Sequence, residues 1–167
     1  IDTSIAFIKL IDKLNLNIND AYKFLENKST TEHRFEKVEI INGTRFINDS
    51  KSTNFHSVSS ASERVKNALL IMHGITKNIP TSELQLSNEI KKIIIPNDMN
   101  LDHNLFHCEV QVIKSIFELE DILKKDFQRF ETVLFSCGGS SFNDFENYIE
   151  RGKFFKSIVK NLKGGQN

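Results

Sequence analysis

Charge of one sign, cysteine and long apolar stretches are all scarce in this sequence, and each scarcity removes a class of function. Lys plus Arg (22) equals Asp plus Glu (22), so there is no basic field of the kind that drives sequence-independent binding to nucleic acid, and no nucleic-acid partner is expected. The two cysteines, Cys108 and Cys137, are far apart and form no Cys-x-x-Cys pair. That argues against a disulfide scaffold or a zinc site and fits a reducing, cytoplasmic setting. No apolar run approaches the roughly 20 residues that span a bilayer, and no signal peptide is legible, so no membrane partner is expected. The five histidines show no ligand spacing, so no metal site is expected within the chain. Neither Gly-x-x-x-x-Gly-Lys-Ser/Thr nor Gly-x-Gly-x-x-Gly occurs, so any nucleotide phosphates must be held elsewhere.

What is present suits one globular domain with a real core: 167 residues, 39% of them hydrophobic, including 14 phenylalanines. The chain starts without Met inside an expected helix, whose apolar stretch, Ser4 to Leu14, has the spacing of a helix buried on more than one face. A second short helix is expected after Asn19, and the polar stretch from Asn27 to Glu32 is the expected linker. Residues 1–31 are therefore expected to end a separate, truncated domain, and residues 32–167 to form the main one.

In the main domain, two strand-like runs, Lys37 to Ile41 and Thr44 to Ile47, flank Asn42-Gly43, a strong hairpin signal because both residues tolerate positive φ. A helix from Phe55 to Val65 and a continuous apolar strand from Asn67 to Met72 come after it. Next come a short helix from Ser82 to Asn88, strands at Lys91 to Ile95 and Cys108 to Ile113, and a helix opened by a capping box at Ser115 to Glu118. The last strand, Thr132 to Phe135, leads into a helix from Phe142 to Leu162. Alternating strands and helices predict an α/β, Rossmann-like, mainly parallel sheet with an antiparallel hairpin at its start and helices on both faces.

Three polar strand ends would then open on one edge of the sheet: Asp49 to Asn54, His73 to Lys77 and Ser136 to Ser141. Lys51 and Lys77 can neutralise a carboxylate or phosphate, and Ser52, Thr53, Ser140 and Ser141 offer hydroxyl donors. This is an edge for a small dianion, with no self-contained catalytic machinery. Cys137 is expected to be a buried small hydrophobe rather than a nucleophile.

The strings Glu32-His33-Arg34-Phe35-Glu36, Asn48-Asp49-Ser50-Lys51-Ser52-Thr53-Asn54 and Phe145 to Phe155, with its Arg151-Gly152, occur in the order and at the spacing of one family. Residues 32–162 resemble the C-terminal domain of the Mur ligases, most of all the D-glutamate-adding branch, and residues 1–28 resemble the last helices of that family's central ATPase domain. The resemblance implies an ATP-dependent, amide-forming ligase that adds D-glutamate to UDP-MurNAc-L-Ala in peptidoglycan precursor synthesis, with ATP and magnesium held mainly by the central domain. This chain alone would be inactive. It implies that Arg34 and Asp49 contact the adenine and ribose side of ATP, and that Lys51, Thr53, Lys77, Ser141 and the backbone of Phe142 hold D-glutamate, with Tyr148 packing beside them. Two departures accompany it: the usual Gly-Gly-x-x-Lys stands here as His73-Gly74-Ile75-Thr76-Lys77, and the usual Ser-Pro-Ala as Ser136-Cys137-Gly138. The alternative is a stand-alone or vestigial binding domain that keeps the fold without the activity.

Overall fold

The computed structural model describes Lys13, Asn17, residues 31–76 and residues 79–165. The helical pair expected before the linker and the candidate ligand Lys77 lie outside these residues. The chain divides after Thr30 into two compact units, of which the second, Thr31–Asn167, holds the sheet.

Six strands form one sheet in the order β1-β2-β6-β3-β4-β5. They are β1 (Glu36–Ile41), β2 (Thr44–Asp49), β3 (Ala68–His73), β4 (Ile90–Pro96), β5 (Glu109–Ile113) and β6 (Thr132–Gly138). The β1–β2 pair is antiparallel and every other pair is parallel, as the sequence predicts. Asn42 and Gly43 take φ of 50° and 86°, the positive-φ two-residue turn that matches the twist of a hairpin.

Alternation along the strands sorts the core into two layers. Phe46, Leu69, Ile71, Ile94, Val133, Phe135 and Cys137 point to one face, where α2 (Leu119–Asp126) and α3 (Tyr148–Gly164) supply Leu119, Leu123, Phe155, Ile158 and Val159. Ile47, Leu70, Met72, Ile93, Ile95 and Leu134 point to the other face, covered by Phe55, Val58 and Ala61 of α1 (Phe55–Ser62). The chain leaves β2 for the α1 face, but leaves β6, its neighbour in the sheet, for the α3 face. Adjacent strands whose connections depart to opposite faces leave a crevice at their carboxyl ends, where α/β sheets bind ligands.

Three local expectations are corrected. Ser82 to Asn88 is no helix beyond a single 3-10 turn at Thr81–Glu83. The amides of Gln85 and Ser87 donate instead to the Ser59 and Ser62 hydroxyls of α1, at 3.1 Å each, so α1 takes the bonds that would have built a helix. At Ser115 the hydroxyl accepts from the Phe117 amide, and Glu118 N–H donates to the Ser115 carbonyl. A 3-10 turn therefore comes first and α2 begins only at Leu119. The last helix starts at Tyr148 rather than Phe142, capped by Asn147, whose Oδ1 accepts from Ile149 N at 2.9 Å and Glu150 N at 3.0 Å.

Phe155 is fully buried and stacks on Phe135 with centroids 4.6 Å apart and an interplanar angle of 11°. Phe155→Ala is expected to lower unfolding free energy by about 3–5 kcal/mol, measured by denaturant titration.

Candidate functional site

The carboxyl ends of β2, β6 and β3 converge on one buried side chain, Arg151 of α3, which is 0% exposed. Its Nη2 donates to the Ser50 carbonyl at 2.7 Å, its Nε to the Ser50 hydroxyl at 3.1 Å, and its Nη1 to the Gly139 and His73 carbonyls at 3.0 and 3.1 Å. The fork is planar and permanently charged, so it holds three strand ends in one geometry. Close approach at this point also requires glycine. A Cβ on Gly74, at φ +114°, would lie 2.1 Å from the Ser140 carbonyl oxygen.

A second lock joins the segment before β1 to the end of β2. His33 and Phe35 have positive φ, 64° and 46°, a region costly for a bulky side chain. Around them, Phe35 N–H donates to Asp49 Oδ1 at 2.9 Å, His33 N–H to Glu36 Oε2 at 3.0 Å, and Lys51 N–H to the His33 carbonyl at 3.0 Å. Asn48 Nδ2 sits 2.9 Å from His33 Nδ1 and donates to Glu36 Oε2 at 3.0 Å. Gly152 lets α3 pack against this segment, since a Cβ there would lie 2.2 Å from His33 Nδ1.

Asp49 is buried, and its Oδ2 accepts from Ser52 Oγ at 2.5 Å and Ser136 Oγ at 2.8 Å. Burial raises its carboxyl above the usual range, against the pull of those hydroxyls and the Phe35 amide. What remains accessible borders a cleft of 330 Å3 with Phe35, Asn54, Ser57 and Arg64. An overlapping depression of 290 Å3 adds Arg34 and Lys51 to the same wall. The structure thus brings Arg34, Asp49 and Lys51 together. Tyr148 joins them, with its ring centroid 4.9 Å from Lys51 Nζ. Thr53 is half-buried and Ser141 is 3% exposed, and neither hydroxyl has a hydrogen-bond partner among the described residues. Phe142 is 73% exposed. Burial pushes the Cys137 thiol up to about 11 and leaves it no exposed surface, as expected of a core residue.

Several contributors carry no role in the sequence reading. Arg151 stands inside a recognisable motif, but its partners are 12 to 101 positions away. Arg64, 3.6 Å above the Phe35 ring centroid, gives no signal along the chain. Among the described residues, one group of His, Asp, Glu or Cys is close enough to share an ion: Glu32, His33 and Glu36. There the Lys156 ammonium already lies 3.0 Å from Glu32 Oε1 and 2.7 Å from Glu36 Oε1, supplying the positive charge. No described helix is long and apolar enough to cross a membrane.

Replacing Arg151 by Lys keeps the charge but loses the fork. It is expected to destabilise the fold by roughly 3–5 kcal/mol, because buried carbonyls at three strand ends lose their donors. Thermal and denaturant unfolding of Arg151→Lys beside Lys153→Arg, an exposed control on the same helix, checks this.

No family model matches the chain. It is 36% identical over 148 residues to the UDP-N-acetylmuramoylalanine--D-glutamate ligase of Thermosipho africanus, covering 86% of this chain and 35% of that protein. The ligases of the same name from Pseudothermotoga lettingae and Francisella tularensis are 30% and 27% identical over 95% and 98% of this chain, and 39% and 41% of theirs. The chain therefore spans about two fifths of the length of these relatives. In fold it matches the MurF ligase from Thermotoga maritima, solved in complex with ADP, with a TM-score of 0.57 at 14% identity, over 92% of this chain and 37% of that one.

Proposed function

We propose, from the premise that this chain belongs to the Mur ligase family, that it is the part of an ATP-dependent ligase that brings D-glutamate to an activated UDP-MurNAc-L-Ala. The observation that carries this is the shared wall of Arg34, Asp49 and Lys51 at the switch between β2 and β6, with Tyr148 against the lysine. Similarity to ligases named for D-glutamate supports the choice of amino acid.

On this reading Arg34 and the accessible edge of Asp49 meet the adenine and ribose side of ATP. Lys51, with the hydroxyls of Thr53 and Ser141, Lys77 and the Phe142 backbone, meets the two carboxylates of D-glutamate. Tyr148 packs on the Lys51 side, with its ring facing that ammonium. These groups bind and orient; they do not take part in covalent chemistry. Their contribution is to hold the amine of D-glutamate within reach of an acyl phosphate and to neutralise charge on its carboxylates. ATP supplies the phosphoryl group that activates the acceptor carboxylate. Phosphates and magnesium are assigned mainly to the central domain that the resemblance implies, since neither Gly-x-x-x-x-Gly-Lys-Ser/Thr nor Gly-x-Gly-x-x-Gly occurs here. Work in the cytoplasm on a peptidoglycan precursor follows from the same reading.

The test is an NMR titration of the chain with D-glutamate, with L-glutamate as control. D-glutamate is expected to bind in the millimolar range or more weakly, shifting amides of residues 50–54 and 140–142. Lys51→Ala should weaken it about ten-fold or more, as expected for losing a hydrogen bond between charged groups. Equal response to both enantiomers, or an affinity unchanged in Lys51→Ala, would favour a binding domain that keeps the fold alone.

A further inference from the structure

We propose that the hydrogen bond between His73 and Asp144 is a latch that positions the turn carrying Ser141 and Phe142, making His73 a positioning residue for the amino-acid site. The role in binding rests on the D-glutamate reading of that site.

His73 ends β3 with no exposed surface, and its Nε2 lies 2.9 Å from Asp144 Oδ2. Its Nδ1 faces Arg151 Nη1 at 3.4 Å. Because a guanidinium can only donate, Nδ1 is the unprotonated nitrogen and the proton sits on Nε2, aimed at Asp144. The surroundings therefore select one neutral tautomer. Phe145 closes over the imidazole edge-on, with centroids 5.5 Å apart.

Asp144 belongs to the turn it anchors. Its own N–H donates to the Ser141 carbonyl at 3.2 Å, and Phe145 N–H donates to the same carbonyl at 2.9 Å. Holding the Asp144 carboxylate thus fixes the position of Ser141. Among the described residues the turn is also tied by paired backbone bonds between Ile75 and Ser140, each 3.0 Å, by Asn143 Nδ2 on Asp98 Oδ2 at 2.9 Å, and by packing of Phe145 on Phe117 and Phe154. The His73 imidazole is buried, and it joins β3 directly to the turn.

The charged groups around His73 are Asp144 from the turn, Arg151 from α3 and Asp98 from the segment after β4. Burial holds the imidazole below its ordinary range; the Asp144 bond pulls the other way, and Arg151 adds to the lowering. A depressed base binds its proton more weakly in the folded state than in the unfolded one. The stability it contributes is therefore complete above the unfolded value of about 6.5 and is lost as pH falls through the folded value. Protonation would set an Nδ1–H against Arg151 Nη1, donor to donor, and push the ring off the latch.

Amide exchange of the whole chain, read as protection factors from about pH 7.5 down to the acid limit of the fold, tests this alongside D-glutamate titration. Residues 140–145 are expected to lose protection on acidification before β3 and β6 do. His73→Gln, whose amide can still donate to Asp144 without titrating, should keep protection at both ends of the range. His73→Ala, and Asp144→Ala from the solvent side with the core intact, should loosen the turn about ten-fold at every pH and weaken D-glutamate in proportion. An unchanged turn in both alanine variants, or acid loosening that persists in His73→Gln, overturns the latch. A looser turn with unaltered D-glutamate affinity overturns the positioning role. Latch behaviour without any D-glutamate binding by the unsubstituted chain overturns the proposed function and leaves the latch standing.

Discussion

Arg151, a guanidinium buried with no carboxylate partner among the described residues, is the constraint from which the site follows. Arg151 sits where three parallel strands end, and the carbonyl ends of those strands present a concentration of partial negative charge. One cation shared among Ser50, His73 and Gly139 satisfies these oxygens together, a task that water or three separate donors would perform with less geometric definition. The cost of desolvating the charge is met by the number of oxygens it serves. Burial is the first cause of the lowered His73 imidazole and of the raised Cys137 thiol; the Arg151 charge adds to the first and opposes the second.

The binding wall is assembled by the same economy of parts. Asp49 holds Phe35 in a left-handed backbone conformation, receives two serine hydroxyls, and still shows an edge to the cleft. Lys51 uses its amide to hold His33 and its ammonium to meet Tyr148. Backbone strain at the residues flanking Arg34 is thus sustained by groups that also line the cleft. A ligand that drew Asp49 or Lys51 toward itself would act on the segment bearing Arg34 as well.

Much of this was legible in the sequence wherever the cause is local. Asn42-Gly43 specifies its turn by φ preference alone, and the strand at Ala68–His73 declares itself by an unbroken apolar run. Asp49 and Lys51 stand out along the chain because they follow a strand in a recognisable string, and the structure sets both on one cleft wall. The rest depends on partners remote in the chain. The segment from Ser82 to Asn88 reads as a helix, but the amides of Gln85 and Ser87 are claimed by serines of α1 more than twenty positions earlier. Asn147 caps α3 only because Asp144 and Phe145 have already turned back onto Ser141. Nothing along the chain states that Arg151 will meet Ser50.

The strand made last is not the outermost. β6 lies between β2 and β3, so its two neighbours cannot pair with each other and wait, each with a bare edge, for residues 132–138. On a ribosome this means that a hairpin and a three-stranded parallel unit emerge well before the strand that unites them. Sheet closure is a late, long-range event, and long-range parallel pairing is slow. Until β6 is made, the facing edges of β2 and β3 are open to pairing with other chains, so the strand that completes the sheet is also the one that closes these edges.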